Sequence, residues 1–193
     1  MRDPTAVQRG IEHSEDPSME RDAVSLRLLP FGTRIRVQSW GASDLPASLA
    51  AVVGAPWPTA VGRSNGAQTR VLCFGPTDWL VLSDGAADAL VRDLEEAAKD
   101  STLSVTDLSQ GIVAIEVAGA CARDLLAKAC GLDVHARIFG PGVCARTRFA
   151  DIAVIVHAVG DGAAFHCYVS RSYVDYLFEW LTDAAAEFLE VRS

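Results

Sequence analysis

The sequence predicts an α+β fold with two split β-α-β (ferredoxin-like) units, each an antiparallel sheet with helices packed on one face. Two observations predict it. Strand-like segments alternate with amphipathic helical segments along the chain. The order of these segments also repeats: 35–54 and 113–131 each contain a strand, a Gly-Ala corner, a helix and a final glycine. Likewise, 78–98 and 164–186 each contain a strand, a serine and a helix.

The repeated unit is clearest in the middle of the chain, in 106–131. Val and Ile dominate 112–117, as in a strand, and polar Glu116 lies near its end. Gly119 allows a sharp turn into the next element. The helix that follows places four apolar residues on one side, which we expect to pack on the sheet: Ala122, Leu125, Leu126 and Ala129.

The first half begins with 33–39 (TRIRVQS), whose alternation of polar and apolar residues predicts a half-buried strand. Ser43 or Asp44 is suited to cap a helix over 45–53. The composition of 62–66 (GRSNG) predicts a loop.

Two strands, a helix and a final strand complete the first half. The nearly continuous apolar run in 79–83 (WLVLS) predicts a strand buried on both faces. Asp84 is a candidate cap for the next helix. The predicted ranges are 71–74, 79–83, 86–98 and 103–108.

The second half contains strands 143–149 and 152–159 and a hairpin signal after them. A four-residue hairpin loop over 160–163 places His157 opposite His166 on one sheet face. Two facing imidazoles can share a metal, but a catalytic zinc site needs three protein ligands, and the neighbouring positions supply no usual third one. We therefore predict no metal site and expect a partly exposed cross-strand pair.

The last helix is the most aromatic segment. Beside an ordinary core stripe, Tyr173, Tyr176 and Trp180 form a second stripe at spacings of three and four. This wide apolar surface indicates either a subunit interface or a broad core-facing helix. Tyr173, Tyr176 and Trp180 are therefore the candidate interface residues.

The remaining polar candidates have structural as well as functional interpretations. Asp107 and Ser109 flank a strand end and can bind a ligand or cap a turn, of which the turn is favoured. Arg146 and Arg148 share a strand face. We expect this face to be exposed to solvent; the alternative is that it binds an acidic surface of a partner protein. The chain has no Gly-rich nucleotide loop, GxSxG elbow or CxxC pair, so we predict no catalytic and no cofactor-binding residue.

Composition limits the functional classes. The net charge of -8 argues against nucleic-acid binding. No apolar stretch is long enough to span a bilayer and no signal peptide is apparent, which predicts a cytoplasmic protein with five reduced cysteines. The predicted division is a flexible tail over 1–25 and one domain over 26–193, with pseudo-repeats at about 33–108 and 109–193.

Specific segments resemble one known family. The segment 74–83 (FGPTDWLVLS) looks like the "GPdeWLll" signature of the gamma subunit family of heterotetrameric sarcosine oxidase. The resemblance extends from about Leu26 to the C-terminus, and its further segments occur in the family's order: 106–135, 139–157 and 170–188.

The central segment is also similar to the glycine-cleavage aminomethyltransferase superfamily, whose amino-terminal part carries a "D-x-S … G-x-x-A … L" pattern. Asp107, Ser109, Gly119, Ala122 and Leu126 match that pattern. This likeness implies the duplicated fold predicted above. Members that bind folate need further segments and a carboxyl-terminal barrel, so no folate-binding residue is transferred to this chain.

The resemblance to the gamma subunit family implies a non-catalytic, structural subunit of a complex that oxidatively demethylates sarcosine to glycine and passes the one-carbon unit to tetrahydrofolate. It implies alpha, beta and delta partner subunits. FAD, FMN, NAD and tetrahydrofolate would lie on partner subunits, with the flavins on beta with help from alpha, and NAD and tetrahydrofolate on alpha. Two alternatives remain: a free-standing folate-binding one-carbon protein of the aminomethyltransferase type, or the equivalent subunit of a complex that acts on another N-methyl amine.

Overall fold

The structure is a computed structural model that describes residues 23–40 and 47–189. Ten strands and four helices occur in this described part of the chain. The strands are β1 (Ser25–Leu28), β2 (Thr33–Ser39), β3 (Ser64–Asn65), β4 (Thr69–Gly75), β5 (Asp78–Ser83), β6 (Leu103–Asp107), β7 (Ile112–Ala118), β8 (Cys144–Phe149), β9 (Ile152–Val159) and β10 (Ala164–Ser170). The helices are α1 (Ala47–Val53), α2 (Ala87–Ala98), α3 (Ala122–Ala129) and α4 (Val174–Leu189), the last preceded by a 3-10 turn at Arg171–Tyr173.

The strands form two five-stranded sheets, ordered β3-β4-β5-β2-β6 and β1-β7-β10-β9-β8. All paired strands are antiparallel. In the first sheet β5 lies between β2 and β4, which α1 connects, and this is a split β-α-β arrangement. In the second sheet β10 lies between β7 and β9 in the same way, with α3 in the connection. The predicted α+β class with two antiparallel sheets is confirmed.

The first strand completes the second sheet. In the first sheet β6 follows α2 and pairs with β2, whereas the matching place beside β7 is taken by β1. Ser25 pairs with Ala118, and Val24 is buried in the second core. The end of the predicted tail at residues 23–25 therefore belongs to the fold, because its backbone pairs with β7 and its valine side chain packs in the core. Residues 1–22 lie outside the described part.

The molecule has four layers, in the order helices, sheet, sheet, helices. Helices α1 and α2 cover the outer face of the first sheet through Leu49 and Leu94. Helices α3 and α4 cover the outer face of the second sheet through Leu125 and Leu177. The inner faces of the sheets meet in a smaller cluster of buried residues: Leu72, Leu80, Ala114, Cys144 and Tyr168.

Inter-sheet packing explains two outcomes along the first sheet. Trp79, Leu80 and Val81 are all buried, which confirms the prediction of a strand with two buried faces. In β2, Ile35 and Val37 are buried while Arg36 and Gln38 on the other face are partly exposed, as predicted for a half-buried strand, but Arg34 on that polar face is buried as well. At Arg34 the polar face of β2 contacts the second sheet, and alternation within one strand does not distinguish such contact from solvent.

The two halves are joined by matched hydrogen bonds around an antiparallel bridge between Arg63 and Val143. Ser64 N–H donates to Gly142 O at 2.8 Å, and Cys144 N–H donates to Gly62 O at 2.9 Å. Gly62 and Gly142 have positive φ values of 79° and 74°, a conformation that favours glycine at both positions. Beside this bridge, Ser64 and Asn65 pair with Leu72 and Val71 of β4, which makes them strand β3 inside the segment that was predicted to be a loop.

The start of α2 differs from the predicted cap. Residue Ala86 occupies the N-cap position of α2 and makes no side-chain capping bond. Asp84 therefore does not cap this helix, and its carboxylate lines a cavity between the sheets. The predicted caps Ser43 and Asp44 of the first helix lie outside the described residues.

Candidate functional site

An open cavity of about 430 Å³ lies between the inner faces of the two sheets. We call it the inter-sheet pocket. The β1–β2 connection closes one side, with Leu29 and Phe31 in its lining. Its size lies within the range of small-molecule sites, which is about 300–1,000 Å³.

One wall of the inter-sheet pocket carries two arginines. In the first sheet Leu82 pairs with Arg34 on one side and with Arg70 on the other. Residues directly opposite in antiparallel strands project from the same sheet face, so the two arginines flank Leu82 on the inner face. All three residues line the pocket.

Arg34 is a nearly buried cation. Its side chain is 4% exposed, its Nη1 donates to Gly32 O at 2.7 Å, and its guanidinium carbon lies 5.9 Å from the Tyr168 ring centre. Its Nε is buried and has no hydrogen-bond partner among the described residues. Burial lowers the pKa of Arg34, while Tyr168 and Asp84 oppose that shift. An arginine nevertheless remains charged at neutral pH.

The opposite wall contains the two predicted histidines. His157 pairs with His166 in the β9–β10 ladder, as the hairpin prediction required. His157 is only 1% exposed, so the expected partly exposed pair is wrong for this residue: β3 covers it, and its Nε2 lies 3.0 Å from Ser64 Oγ. Burial, with Arg70 and His166 nearby, lowers the pKa of His157 to about 3.

The Ser64–His157 pair does not have the arrangement of a nucleophile and its base. Ser64 Oγ donates to Gly142 O at 3.1 Å, and Ser64 lies outside the lining of the pocket. His157 Nδ1 is buried with no partner among the described residues, so no acid orients the ring there. An imidazole with a pKa near 3 is also a weak base at neutral pH. The pair is consistent with a structural contact.

His166 belongs to a second polar group on the same wall. Its Nε2 lies 3.3 Å from Glu116 Oε2, and Arg27 Nη2 donates to Glu116 Oε1 at 2.9 Å. Burial lowers the pKa of His166, and the hydrogen bond and charge of Glu116 oppose that effect. The described residues contain no group of three or more His, Cys, Asp or Glu side chains placed to hold a metal ion.

Asp107 and Ser109 have the structural role that was favoured. Asp107 Oδ1 accepts from Ser109 N–H at 2.8 Å and from Ser109 Oγ at 2.5 Å, which closes the turn before β7. Ser109 Oγ in turn accepts from Arg34 N–H at 2.9 Å, and Leu108 N–H donates to Arg34 O at 2.8 Å. These contacts fix the backbone of Arg34, so the Asp107–Ser109 turn positions a residue of the pocket.

The two candidate arginines of β8 have different surroundings. Arg146 donates to Asp78 Oδ2 at 2.5 Å, and Asp78 also accepts two bonds from Arg36, each at 3.0 Å. We call Arg36, Asp78 and Arg146 the ion-pair cluster; it joins the two sheets. Arg146 is exposed, as the default interpretation predicted, and it also contacts a carboxylate that is largely buried. Arg148 is exposed and contacts Asp151, three residues away.

The candidate interface residues lie at the start of α4 and along it. Tyr173 and Tyr176 are 52% and 53% exposed, whereas Trp180 is partly buried against the second core. Phe31 is also exposed, and the guanidinium of Arg171 lies 5.1 Å from its ring centre. Since Arg171 begins the turn that ends at Tyr173, Phe31 lies beside the same end of α4. We call Phe31, Tyr173 and Tyr176 the aromatic surface.

Sequence reasoning missed Arg34, Arg70 and Phe31. Phe31 carried a usable signal, since a large aromatic residue between Pro30 and Gly32 falls in a turn where burial is difficult. The two arginines carried none, because only the packing of one sheet on the other places them in a shared cavity.

Similarity to known proteins decides the family. Residues 41–187 match the Sarcosine oxidase, gamma subunit family. The chain belongs to this family. It is 32% identical over 167 residues to the sarcosine oxidase subunit gamma of Corynebacterium sp. (strain P-1), a match that covers 86% of this chain and 81% of the relative. It is 31% identical over 189 residues to the subunit gamma of Corynebacterium sp. (strain U-96), covering 97% and 91%.

Solved structures agree with the family and with the fold. A chain of the heterotetrameric sarcosine oxidase from Corynebacterium sp. U-96, solved in complex with pyrrole 2-carboxylate, matches with a TM-score of 0.82 and 30% identity; the match covers 91% of this chain and 90% of that one. The glycine cleavage system aminomethyltransferase T from Bartonella henselae matches with a TM-score of 0.62 and 18% identity, covering 83% of this chain and 46% of that one. The second match shows a common fold. In the described residues, no helix is long and apolar enough to cross a membrane.

Proposed function

We propose that this chain is the non-catalytic gamma subunit of a heterotetrameric, flavin-dependent sarcosine oxidase. In that complex sarcosine is oxidatively demethylated to glycine. The observation that carries the proposal is the match, over 91% of this chain, to a chain of a solved heterotetrameric sarcosine oxidase at a TM-score of 0.82. The role of this subunit is structural, in assembly with the alpha, beta and delta subunits in the cytoplasm.

In this proposal the cofactors lie on partner subunits: FAD and FMN on beta with help from alpha, and NAD and tetrahydrofolate on alpha. The one-carbon unit passes from the flavin site to tetrahydrofolate there. The His157 environment supports this division, since its low pKa and its contact with Ser64 Oγ suit packing better than proton transfer.

The aromatic surface is the part of the chain that we propose to contact a larger subunit. Tyr173 and Tyr176 expose about half of their area, and exposed aromatic side chains are enriched at interfaces relative to other surfaces. Trp180 extends this surface toward the core and contributes to both. The predicted domain over 26–193, with its two pseudo-repeats, is the scaffold that presents it.

The assembly proposal is tested by co-expression with the three partner subunits. We expect a yellow complex that contains this chain, whereas the chain purified alone is colourless and inactive. A chain that elutes alone in gel filtration after co-expression contradicts the proposal. Tight tetrahydrofolate binding by the isolated chain supports instead the free-standing folate-binding alternative.

Substitutions separate assembly from folding. We expect the double variant Tyr173→Ala/Tyr176→Ala to weaken assembly at least tenfold with little change in melting temperature, because these side chains are solvent-exposed. Trp40→Ala is the matched control, since Trp40 is 69% exposed at the end of β2 on the other sheet. Trp180→Ala should weaken assembly more than folding; a lowered melting temperature with an unchanged complex assigns Trp180 to the core.

A further inference from the structure

We propose that the inter-sheet pocket binds a small aliphatic monocarboxylate, with its carboxylate on Arg34 and Arg70. The two arginines lie outside the aromatic surface, of which Phe31 alone lines the pocket, and the inference does not depend on the subunit assignment. It rests on unpaired charge, on burial and on the shape of the cavity.

Charge is the first argument. Three arginines and two carboxylates line the pocket, and Arg27 is paired with Glu116. Arg34 and Arg70 remain, and neither has a carboxylate within ion-pair distance among the described residues. Asp84 is the other carboxylate in the lining and opposes the burial of Arg34 only at longer range. The pocket therefore has one excess positive charge, which one monoanion neutralises.

Burial of Arg34 is the second argument. Leaving a buried charge without a counter-charge costs several kcal/mol, and the ring of Tyr168 with one backbone oxygen compensates it only in part. The Nε of Arg34 is a buried donor without a partner in the described part of the chain. A guanidinium forms paired, charge-assisted hydrogen bonds with a carboxylate, so a carboxylate in the pocket offsets the uncompensated charge of Arg34.

The shape and lining of the pocket select an organic anion. Leu29, Leu82 and Val159 contribute aliphatic surface beside the two arginines. An inorganic anion leaves this surface in contact with water, whereas a short hydrocarbon chain buries it. The backbone of Arg34 is fixed by Ser109 and Leu108, and its Nη1 donates to Gly32 O, so its guanidinium is held in place before a ligand arrives.

The test is a titration of the full chain with butanoate in low-salt buffer, followed by chemical-shift changes of arginine side-chain Nε–H groups. Butanamide has the same shape without the charge, acetate has the charge without the hydrocarbon chain, and inorganic phosphate tests for a general anion site. We expect saturable binding of butanoate, binding of acetate weaker by about tenfold, and no binding of butanamide.

Variants assign the binding to Arg34. Arg34→Met should weaken butanoate binding at least tenfold, while Arg92→Met, on the exposed surface of α2, should leave it unchanged. If Arg34→Met does not fold, Arg34→Lys serves instead, because it keeps the charge but lacks the planar pair of donors, and the same loss is expected.

Four outcomes overturn the inference. These are no saturation with butanoate, equal affinity for butanamide, phosphate binding as tightly as butanoate, and unchanged binding in both Arg34 variants. Failure of Arg34→Met to join the co-expressed complex, together with no butanoate binding by the full chain, assigns the pocket to an acidic side chain of a partner subunit instead. The butanoate titrations do not bear on whether the chain itself assembles as a gamma subunit.

Discussion

Arg34 and Arg36 lie two residues apart on the same face of β2, yet their surroundings differ. Arg36 is held by two hydrogen bonds to Asp78, which Arg146 of the other sheet also contacts. Arg34 lies in the inter-sheet pocket and has no such carboxylate among the described residues. One end of the inter-sheet layer is thus an ion-paired clamp and the other is a cavity with free positive charge.

The difference shows how one sheet face can serve two purposes. At the ion-pair cluster, burial raises the pKa of Asp78 but hydrogen bonds from Arg36 and Arg146 outweigh it, so this pKa is lowered overall. In the pocket, by contrast, burial lowers the pKa values of both His157 and His166. Charge is stabilised at the first site and disfavoured at the second.

Acid should therefore destabilise the pocket side first, and this is the largest effect that we expect. The folded-state pKa of His157 is about 3, below the ordinary value of 6.5, so the unfolded state binds the proton more tightly. Stability contributed by neutral His157 is complete above about pH 6.5 and is lost as pH falls, by about 3 kcal/mol between pH 7 and pH 4. Urea unfolding at a series of pH values measures it.

His157→Gln is the variant for this comparison, since its side chain carries no titrating proton. We expect its unfolding free energy to lose most of the slope between pH 6.5 and pH 4, whatever its stability at pH 7. An unchanged slope contradicts the assignment of the acid destabilisation to protonation of His157. Asp78 affects the unfolding free energy only at lower pH, because a carboxylate with a lowered pKa loses its stabilisation only below its unfolded pKa of about 3.9.

The ion-pair cluster should give the second largest effect. Asp78→Asn leaves two arginines close together without their carboxylate, and we expect a loss of about 2 kcal/mol of unfolding free energy. The loss is smaller than for a fully buried pair because the side chains of Arg36 and Arg146 are 37% and 45% exposed. Asp151→Asn is the control, since Asp151 is fully exposed, and it should change stability little. Chemical denaturation at neutral pH compares them.

The turn before β7 should have an intermediate effect. Ser109→Ala removes the hydroxyl that accepts from Arg34 N–H and donates to Asp107, so a buried backbone donor loses its partner. We expect a loss of about 1–2 kcal/mol, measured by thermal or urea unfolding. Ser104→Ala is a suitable control, because Ser104 lies on the edge strand β6 and its hydroxyl, among the described residues, makes one long hydrogen bond of 3.5 Å with Thr106. Equal effects of the two substitutions contradict the role of the Ser109 hydroxyl as the partner of the Arg34 backbone N–H.

Arg34→Met should cost the least stability. Replacing an unpaired buried charge by an apolar side chain of similar length is often neutral or stabilising, so we expect no loss of unfolding free energy. Arg36→Met, two residues away, should be clearly destabilising because it leaves Asp78 with one partner fewer. Similar losses in both variants, in the same unfolding experiment, show that Arg34 is compensated as well as Arg36 is.

The sequence predicted the elements better than their surroundings. The bounds of β2 and β9, the hairpin after β9 and the core face of α4 follow from local pattern, and the structure confirms them. Burial of His157 and the pairing of Arg146 with Asp78 depend on residues that are 93 and 68 positions away in sequence. No local periodicity contains that information, because it is set by the packing of one sheet on the other.

The same reason limits what could be predicted about the site. The aromatic stripe of the last helix was identifiable from its spacing. Only the structure shows that Tyr173 and Tyr176 are exposed whereas Trp180 is partly buried. The inter-sheet pocket was not identifiable at all, since its two walls come from separate halves of the duplication. The favoured structural role of Asp107 and Ser109, in contrast, is a contact within three residues, which turn chemistry alone predicts.

The pairing of β1 with β7 has a consequence for biosynthesis. Ser25 Oγ donates to the carbonyl oxygen of Ala118, which is 93 residues further along the chain. During synthesis on the ribosome the first sheet can form from its own strands, whereas β1 stays unpaired until β7 has been synthesised. The second core therefore closes late, and a nascent chain that stalls between the two halves exposes a strand edge that other molecules can recognise.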